Sequence, residues 1–564
     1  MLDFNKAKSP EFWKAVRENA AYAPLIDGIK ALYQPDDALD LSIIRFSQRF
    51  KYYKDGDRGT AETPYFHRRR VLSSAAILAL LYPEREEYID KINDLMFAIC
   101  DEYSWCLAAH TPSEGDVKVD PFVVDLFNAE TAAMMAALSS LLADRIAPQV
   151  KERAEDEVRR RVLAPFKAKF QPGEMYNNNW STVVAGSTAL AFHFLEPESF
   201  RTVMPRFKES LEDFVSSYTD DGTCTEGFSY WMYGYGYFLF LADLLREYSQ
   251  GAYNAFASEK VLKMANFPKR CFLPPSKATL SYADGADAGR VDIGCWHFLC
   301  REYPEGVKML TRDQLYIWPG NVGFVYYVRD FLAFDPTRLP PSEAEICDYI
   351  LPDAKQVVIT REGYSCTAKS GNNKERHNHN DVGCFIFADE DGQAICDLGA
   401  GLYTREYFRP ETRYQIFCNR SMSHSVPIFD GAEQREGEQF AGTFAYENGR
   451  MTMEIAAAYG LDALKSCLRT IDFDDTGITL ADTFDFAGKA ITERFVTKRE
   501  PTVKAGEITI GKTKLTFDPA LVPTVTTETH FLHGYKGDSV PVYCIDFAIS
   551  GSAKAFQIRI EAEK

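Results

Sequence analysis

The sequence has no C-x-x-C pair, no apolar run of membrane-spanning length, few histidines and no excess of basic over acidic residues. Each shortage removes a class of protein. The thirteen cysteines are odd in number and scattered singly, which argues against a disulfide framework or a cysteine-rich zinc site. They read as reduced, mostly buried thiols. The longest apolar stretch near the amino end, Ala75 to Tyr82, stops at Pro83. It falls far short of the ~20 residues a membrane span requires. Met1 to Lys6 show no basic segment followed by an apolar run, so a cytoplasmic protein is expected, or a periplasmic one where an export signal has been removed. Acidic side chains outnumber basic ones, 81 to 63, for a net charge of −18. A nucleic-acid or anionic-membrane binder needs a broad basic footprint, and this chain has none. A polyanionic ligand would have to be met by a local cluster of cations.

What is present is enough apolar and aromatic material for large cores. The 564 residues are 46% hydrophobic, with 30 Tyr, 40 Phe and 6 Trp, and their length suggests several domains. From about residue 10 to 320 the apolar positions recur at three- and four-residue steps, as in Ala132 to Leu142 and in Phe238, Leu241, Leu244, Leu245 and Tyr248. Breaks are expected at Pro83, Pro112, Pro148, Pro172-Gly173, Pro197, Pro205 and Pro274-Pro275, which suits an array of antiparallel helix pairs. No exact repeat accompanies it. After 320 a two-residue period takes over. Val357 to Ile359, Cys384 to Phe387, Ile478/Leu480, Phe556/Ile558/Ile560, and Ile508/Ile510 with Leu515/Phe517 across Gly511-Lys512 read as strands and hairpins. The proline-rich stretch Pro336 to Pro341 reads as a connecting segment. The expected architecture is α+β and multidomain, with helices over 1–320 and an antiparallel β-sandwich over 321–564.

Four stretches carry chemistry. With nine histidines in the whole chain, two at i and i+2 in Arg376-His377-Asn378-His379-Asn380-Asp381 stand out, and in an extended segment they share a side. One imidazole can ligate a metal while the other moves a proton; a polar turn entering a strand is the plainer reading. Asp397, after a strand ending at Cys396, and His424, in Ser423-His424-Ser425, supply the oxygen and nitrogen donors that would complete a zinc set with His379. Alone, His424 reads as a buried, hydrogen-bonded histidine. Asn177-Asn178-Asn179-Trp180 disfavours a helix interior, and its amides can meet a carboxylate or simply cap a helix. Glu226-Gly227-Phe228-Ser229-Tyr230-Trp231-Met232-Tyr233-Gly234-Tyr235 is partly core, yet its glycines and tyrosines can also form a surface on which a sugar stacks. Asp221 and Glu226 would equally furnish the carboxylate pair of a glycosidase.

Together these stretches resemble the heparinase II/III-like polysaccharide lyases, relatives of the oligoalginate and heparin/heparan lyases. The similarity runs over most of the chain. It includes Asp101-Glu102 with Trp105 and His110, Asp125 to Glu130, Asn178-Asn179-Trp180, Glu226-Gly227, His377 to Asp381, Asp397-Leu398-Gly399 with Tyr403, Arg413-Tyr414, and Ser423-His424 leading to Asp430-Gly431. The resemblance implies an incomplete (α/α) toroid followed by an antiparallel β-sandwich. It also implies β-elimination on uronic-acid glycans, leaving 4,5-unsaturated ends. Asn179, Tyr233, His377 and Arg413 would be catalytic: Asn179 and Arg413 neutralising the uronate carboxylate, a tyrosine and His377 moving protons. Relatives place the tyrosine a little over fifty residues after the asparagine turn, which leaves Tyr230, Tyr233 and Tyr235 as candidates, with Tyr233 preferred. Asn178, Trp105, His110, Tyr230, Tyr235, Glu226, Tyr403 and Tyr414 would line the substrate site. His379, Asp397 and His424 would hold a zinc ion in a mainly structural role. Trp180-Ser181 departs from relatives that carry a histidine near the tryptophan position. The implied partner is a short acidic oligosaccharide rather than nucleic acid or membrane, and the oligomeric state, a homodimer included, stays open. The rival readings are a toroid hydrolase using Asp221 and Glu226, and a sugar-binding protein without catalysis.

Overall fold

The computed structural model describes residues 2–34, 43–111, 123–317, 323–338, 340–534 and 537–563. The helices that position the site are α1 (Phe46–Asp55), α2 (Gly59–Leu81), α3 (Leu126–Leu141), α4 (Asn179–Leu195), α5 (Pro197–Ser216), α6 (Phe228–Tyr248) and α7 (Phe324–Ala333). Together with the shorter helices between them they form the incomplete toroid. Proline's fixed φ and missing N–H explain most of the boundaries. Helix α2 ends just before Pro83, and Pro148 and Pro197 each open a helix at its first position. Pro112 lies outside the described residues. Pro205 corrects the expectation, because it sits inside α5. Phe200, Val203, Phe207, Leu211 and Phe214 make one continuous buried stripe across it, and the burial of that stripe outweighs the lost backbone hydrogen bond.

Helix α4 is packed against α3, α5 and α6 and is buried along almost its whole length. Its sequence is accordingly small and apolar all round rather than amphipathic. A Cβ at Gly186 would come within 2.9 Å of the Tyr237 carbonyl oxygen, so glycine there permits the close approach of α4 and α6.

The β half begins with a five-stranded antiparallel sheet, β1 (Tyr349–Leu351), β2 (Gln356–Thr360), β3 (Ser365–Lys369), β4 (Phe385–Asp389) and β5 (Gly392–Ile395), in that spatial order. Its two faces serve different cores. Val357, Ile359, Phe385 and Phe387 pack into the sandwich, whereas Val358, Ile386 and Ala388 join the helical core. This sheet is the wall shared by the two halves, and the loops leaving it open onto their junction. Behind it lie a four-stranded and an eight-stranded antiparallel sheet. In the latter, Ile478 pairs with Ile560, Leu480 with Ile558 and Ile508 with Leu515, and the two-residue turn Gly511-Lys512 closes between Ile510 and Thr513. Gly511 has φ +57°, the left-handed conformation such a turn requires.

Helix α7 lies past the expected boundary at 320/321 and is part of the helical core. The described residues between 334 and 348, Pro336, Pro340 and Pro341 among them, form no helix or strand, so the change of period falls there. All thirteen cysteines are free thiols and all but Cys347 are buried. Among the described residues no helix is long and apolar enough to cross a membrane.

Candidate active site

Two helix N-termini meet at the junction. Asn178 caps α4 by accepting from the Trp180 N–H at 2.9 Å. Glu226 and Gly227 lead into α6, where Gly234 sits so close to Asn179 that a Cβ would be 2.8 Å from the asparagine's own. The Asn179 backbone N–H and the Asn178 amide stand beside the Glu226 carboxyl and favour its ionised form, as the N-terminus of a helix does for an anion. Burial pushes this carboxyl above its ordinary range against the pull of His377, Arg376 and the asparagines. Its Oε1 has no hydrogen-bond partner and stands 3.9 Å from His377 Nε2.

The opposite wall is the loop before β4. His377 adopts φ +56°, an unusual conformation for a residue with a side chain. Its ring stacks on Tyr230 with centroids 4.2 Å apart, and Nδ1 lies 2.6 Å from Asp284 Oδ2 and 3.2 Å from the Tyr230 hydroxyl. Tyr230 in turn is 2.6 Å from the Tyr403 hydroxyl. Asp284, absent from the sequence-based set, is the hub of this arrangement. Besides His377, its carboxylate accepts from His379 Nε2 at 3.2 Å, the Tyr403 hydroxyl at 3.1 Å, the Tyr407 hydroxyl, and Arg413 at 3.4 Å. Burial alone would raise this carboxyl, but Arg413 and the two imidazoles outweigh it and hold it well below the usual range. Ala283 at φ +57° and the backbone bond from Ala400 N–H to Gly285 O, 3.1 Å, fix the turn that presents it. In the sequence it is one acid in Tyr282-Ala283-Asp284-Gly285, which reads as an ordinary turn.

In the neutral tautomer whose Nδ1 donates to Asp284, the other ring nitrogen, Nε2, offers its lone pair toward Glu226, 3.9 Å away. The Tyr230 hydroxyl is pushed well above its ordinary range, chiefly by burial and then by the charge of Asp284, so it keeps its proton. A proton acceptor and a proton donor thus stand side by side.

Next to them, His379, Asp397 and His424 are fully buried, and one donor atom from each lies within 4.8 Å of the others. Asp397 follows β5 and is turned by a hydrogen bond from the Gly399 N–H at 2.9 Å. His424 Nδ1 is 3.0 Å from Asp397 Oδ2. Asp284 holds Nε2 of His379, and His379 Nδ1 is buried with no hydrogen-bond partner. An orphaned imidazole nitrogen facing an aspartate and a second histidine is a donor set that suits zinc.

The structure redistributes several expected roles. Tyr233 lies one turn deeper along α6 than Tyr230, about 4.5 Å by helix geometry. Its phenol faces Glu130 inside the toroid rather than His377. Tyr235 is fully buried and donates to the Val261 carbonyl oxygen, and Trp105 is fully buried and donates to that of Ile99, so both are core residues. Arg413 spends its donors on Asp284, the Asn378 carbonyl and the Tyr407 carbonyl, and therefore holds Asp284 instead of facing the cleft. Tyr414 accepts from Asn378 at 3.4 Å, beside that clamp. His110 is paired with Asp125 at 2.7 Å, and its ring touches Trp180, which stacks on the half-exposed Tyr176. Asp221 accepts from Thr219, Thr223 and the N–H groups of Asp353 and Ala354, which makes it a brace between the two halves. Arg376 lies over the Tyr176 ring and Arg58 over Tyr403, which sets two cations near the His377–Tyr230 pair.

No family model and no curated protein sequence matches this chain. Solved structures do. Heparinase III superposes with a TM-score of 0.64 at 12% identity, covering 99% of this chain and 85% of its own. A mutant of heparan sulfate lyase from Pedobacter heparinus gives 0.59 at 13% identity, covering 100% and 87%. Chondroitin AC lyase from Streptomyces coelicolor A3, in complex with chondroitin sulphate, gives 0.51 at 10% identity, covering 100% and 83%. The toroid-and-sandwich fold is that of these polysaccharide lyases.

Proposed function

We propose that the chain is a polysaccharide or oligosaccharide lyase that cleaves uronic-acid-containing glycans by β-elimination. The observation that carries this reading is the His377–Tyr230 pair, backed by Asp284 and facing the start of α4, in a fold shared with lyases of acidic glycans. In the reaction, His377 Nε2 takes the proton from C5, and the electron pair left behind forms the C4–C5 double bond. The C4–O bond breaks, and Tyr230 gives its proton to the departing oxygen. The proton on C5 is weakly acidic because a carboxylate adjoins it. Asn178, Asn179 and the N–H groups opening α4 meet that carboxylate and the charge that develops on it, beside Glu226, whose carboxyl burial holds above its ordinary range. Tyr403 shares the Tyr230 proton, and Arg413 positions Asp284.

His379, Asp397 and His424 would hold a zinc ion that pins the loop presenting His377. The hydrolase reading loses its second carboxylate, because Asp221 is occupied in bracing the two halves. Alginate, heparan, chondroitin, hyaluronan and pectic oligosaccharides, followed by ultraviolet absorbance of the unsaturated uronate, test the proposal with His377→Ala as the blank. A rise with one class and none with the variant supports it. Binding without any rise across all classes would favour the non-catalytic reading.

A further inference from the structure

The two walls of the cleft are tied together on one side of the catalytic pair. Helix α1 and the turn after it run from the helical wall to the β wall. At the helical end, the Tyr53 hydroxyl lies 2.7 Å from Thr111 Oγ1, next to His110. At the β end, Arg405 donates from its guanidinium to the Tyr53 carbonyl at 3.1 Å and from its backbone N–H to the Gly56 carbonyl at 3.2 Å. Gly56 makes that approach possible. It has φ +80°, and a Cβ there would stand 2.7 Å from the Glu406 carboxylate and 3.2 Å from Arg405 Cβ. Arg58, two residues on, is braced by Glu62 at 2.7 Å and lies over the rings of Tyr403 and Phe408, 6.0 and 5.6 Å away.

This strap stands close to the chemistry. Tyr403 is hydrogen-bonded to Tyr230, and Phe408 is 6.2 Å from the His377 ring, centroid to centroid. One aromatic ring therefore separates Arg58 from each member of the catalytic pair. Away from the strap the walls also touch through Arg376 and Tyr176, both exposed side chains. The strap, by contrast, is held by a main-chain hydrogen bond at a left-handed glycine.

Resting on the lyase reading above, we infer that the strap makes the cleft blind on the Tyr403 side, so that the site acts on the end of a glycan chain and releases a short product of fixed length. A polymer threading through the site would have to pass where α1 and Gly56 are bonded to Arg405. The chain enters past Arg376 and Tyr176 and stops at Arg58.

Two readouts test this on a uronate polymer. Product sizes are followed by mass spectrometry during the first few per cent of the absorbance rise, and the stoichiometry of His377→Ala protein bound to chains of increasing length is measured by sedimentation. The inference expects a single short unsaturated product from the start, solution viscosity nearly unchanged, and one protein bound per chain end whatever the length. An early ladder of sizes with a steep fall in viscosity, or a number of bound proteins that grows with chain length, would overturn it. The absorbance rise reports the lyase chemistry separately, so an internal cutter and a non-lyase give different results.

Discussion

Replacing Asp284 by Asn removes one charge and tests most of the site at once. The wild-type carboxylate accepts from two imidazoles, two phenols and Arg413, whose side chain is 11% exposed. Breaking a buried ion pair and leaving one partner uncompensated costs about 3–5 kcal/mol. The amide also turns a donor toward groups that are themselves donors, and this conflict adds to the loss. Because His377 loses the acceptor that fixes its Nδ1 proton, turnover should fall by a factor of about 10²–10⁴, as when a base loses its orienting carboxylate. Urea unfolding and steady-state turnover on one oligosaccharide measure the two effects. Since the folded carboxyl is held well below its unfolded value of ~3.9, its stabilisation is complete above that pH and is lost as the pH falls through the lower folded value. The stability gap between wild type and Asp284→Asn should therefore persist at neutral pH and close only in strong acid. A variant with an unchanged unfolding midpoint and turnover within threefold of wild type would refute the role given to this residue.

Tyr230→Phe should lower turnover by a factor of about 10²–10⁴, whereas Tyr233→Phe should retain most of it; the reverse ordering would return the choice to the deeper tyrosine. Metal analysis should find zinc bound in the wild type and lost in His424→Ala, with chelation lowering the melting temperature of the wild type alone. Burial pushes the Glu130 carboxyl up to about 8 against its hydrogen bond from Tyr237, so folding keeps it protonated and stability falls as pH rises from the unfolded value of ~4.3 toward 8. Glu130→Gln should flatten that slope and raise stability at pH 8 by about 1–3 kcal/mol, read from denaturation at several pH values. Glu226→Ala should raise KM for a lyase that uses this side chain to meet the substrate carboxylate, read from steady-state kinetics.

The sequence showed the fold through its periods. Apolar spacing changes from helical to alternating near the proline-rich segment, and the Gly511-Lys512 hairpin has the register its alternation implied. The shared sheet was harder to read, because β2 and β4 are buried on both faces and alternation vanishes where both sides are apolar. Pro205 misled for a related reason: packing along α5 overrides a local preference. At the site, the dense motif His377 to Asp381 and the cluster of His379, Asp397 and His424 were legible because rare residue types gather there. Asp284 was not, since one acid before a glycine looks like any turn and its five donors lie 93 to 129 residues further along the chain. Helical spacing alone could not separate Tyr230 from Tyr233, which lie on neighbouring turns and differ in depth rather than in face.

The central claim is elimination rather than hydrolysis, and the mass of the products formed in heavy-oxygen water tests it most directly. Elimination expects fragments whose masses sum to that of the substrate, one bearing an unsaturated uronate and neither gaining solvent oxygen at the cleaved bond. Fragments heavier in total by one water, with heavy oxygen at the new reducing end, would contradict it.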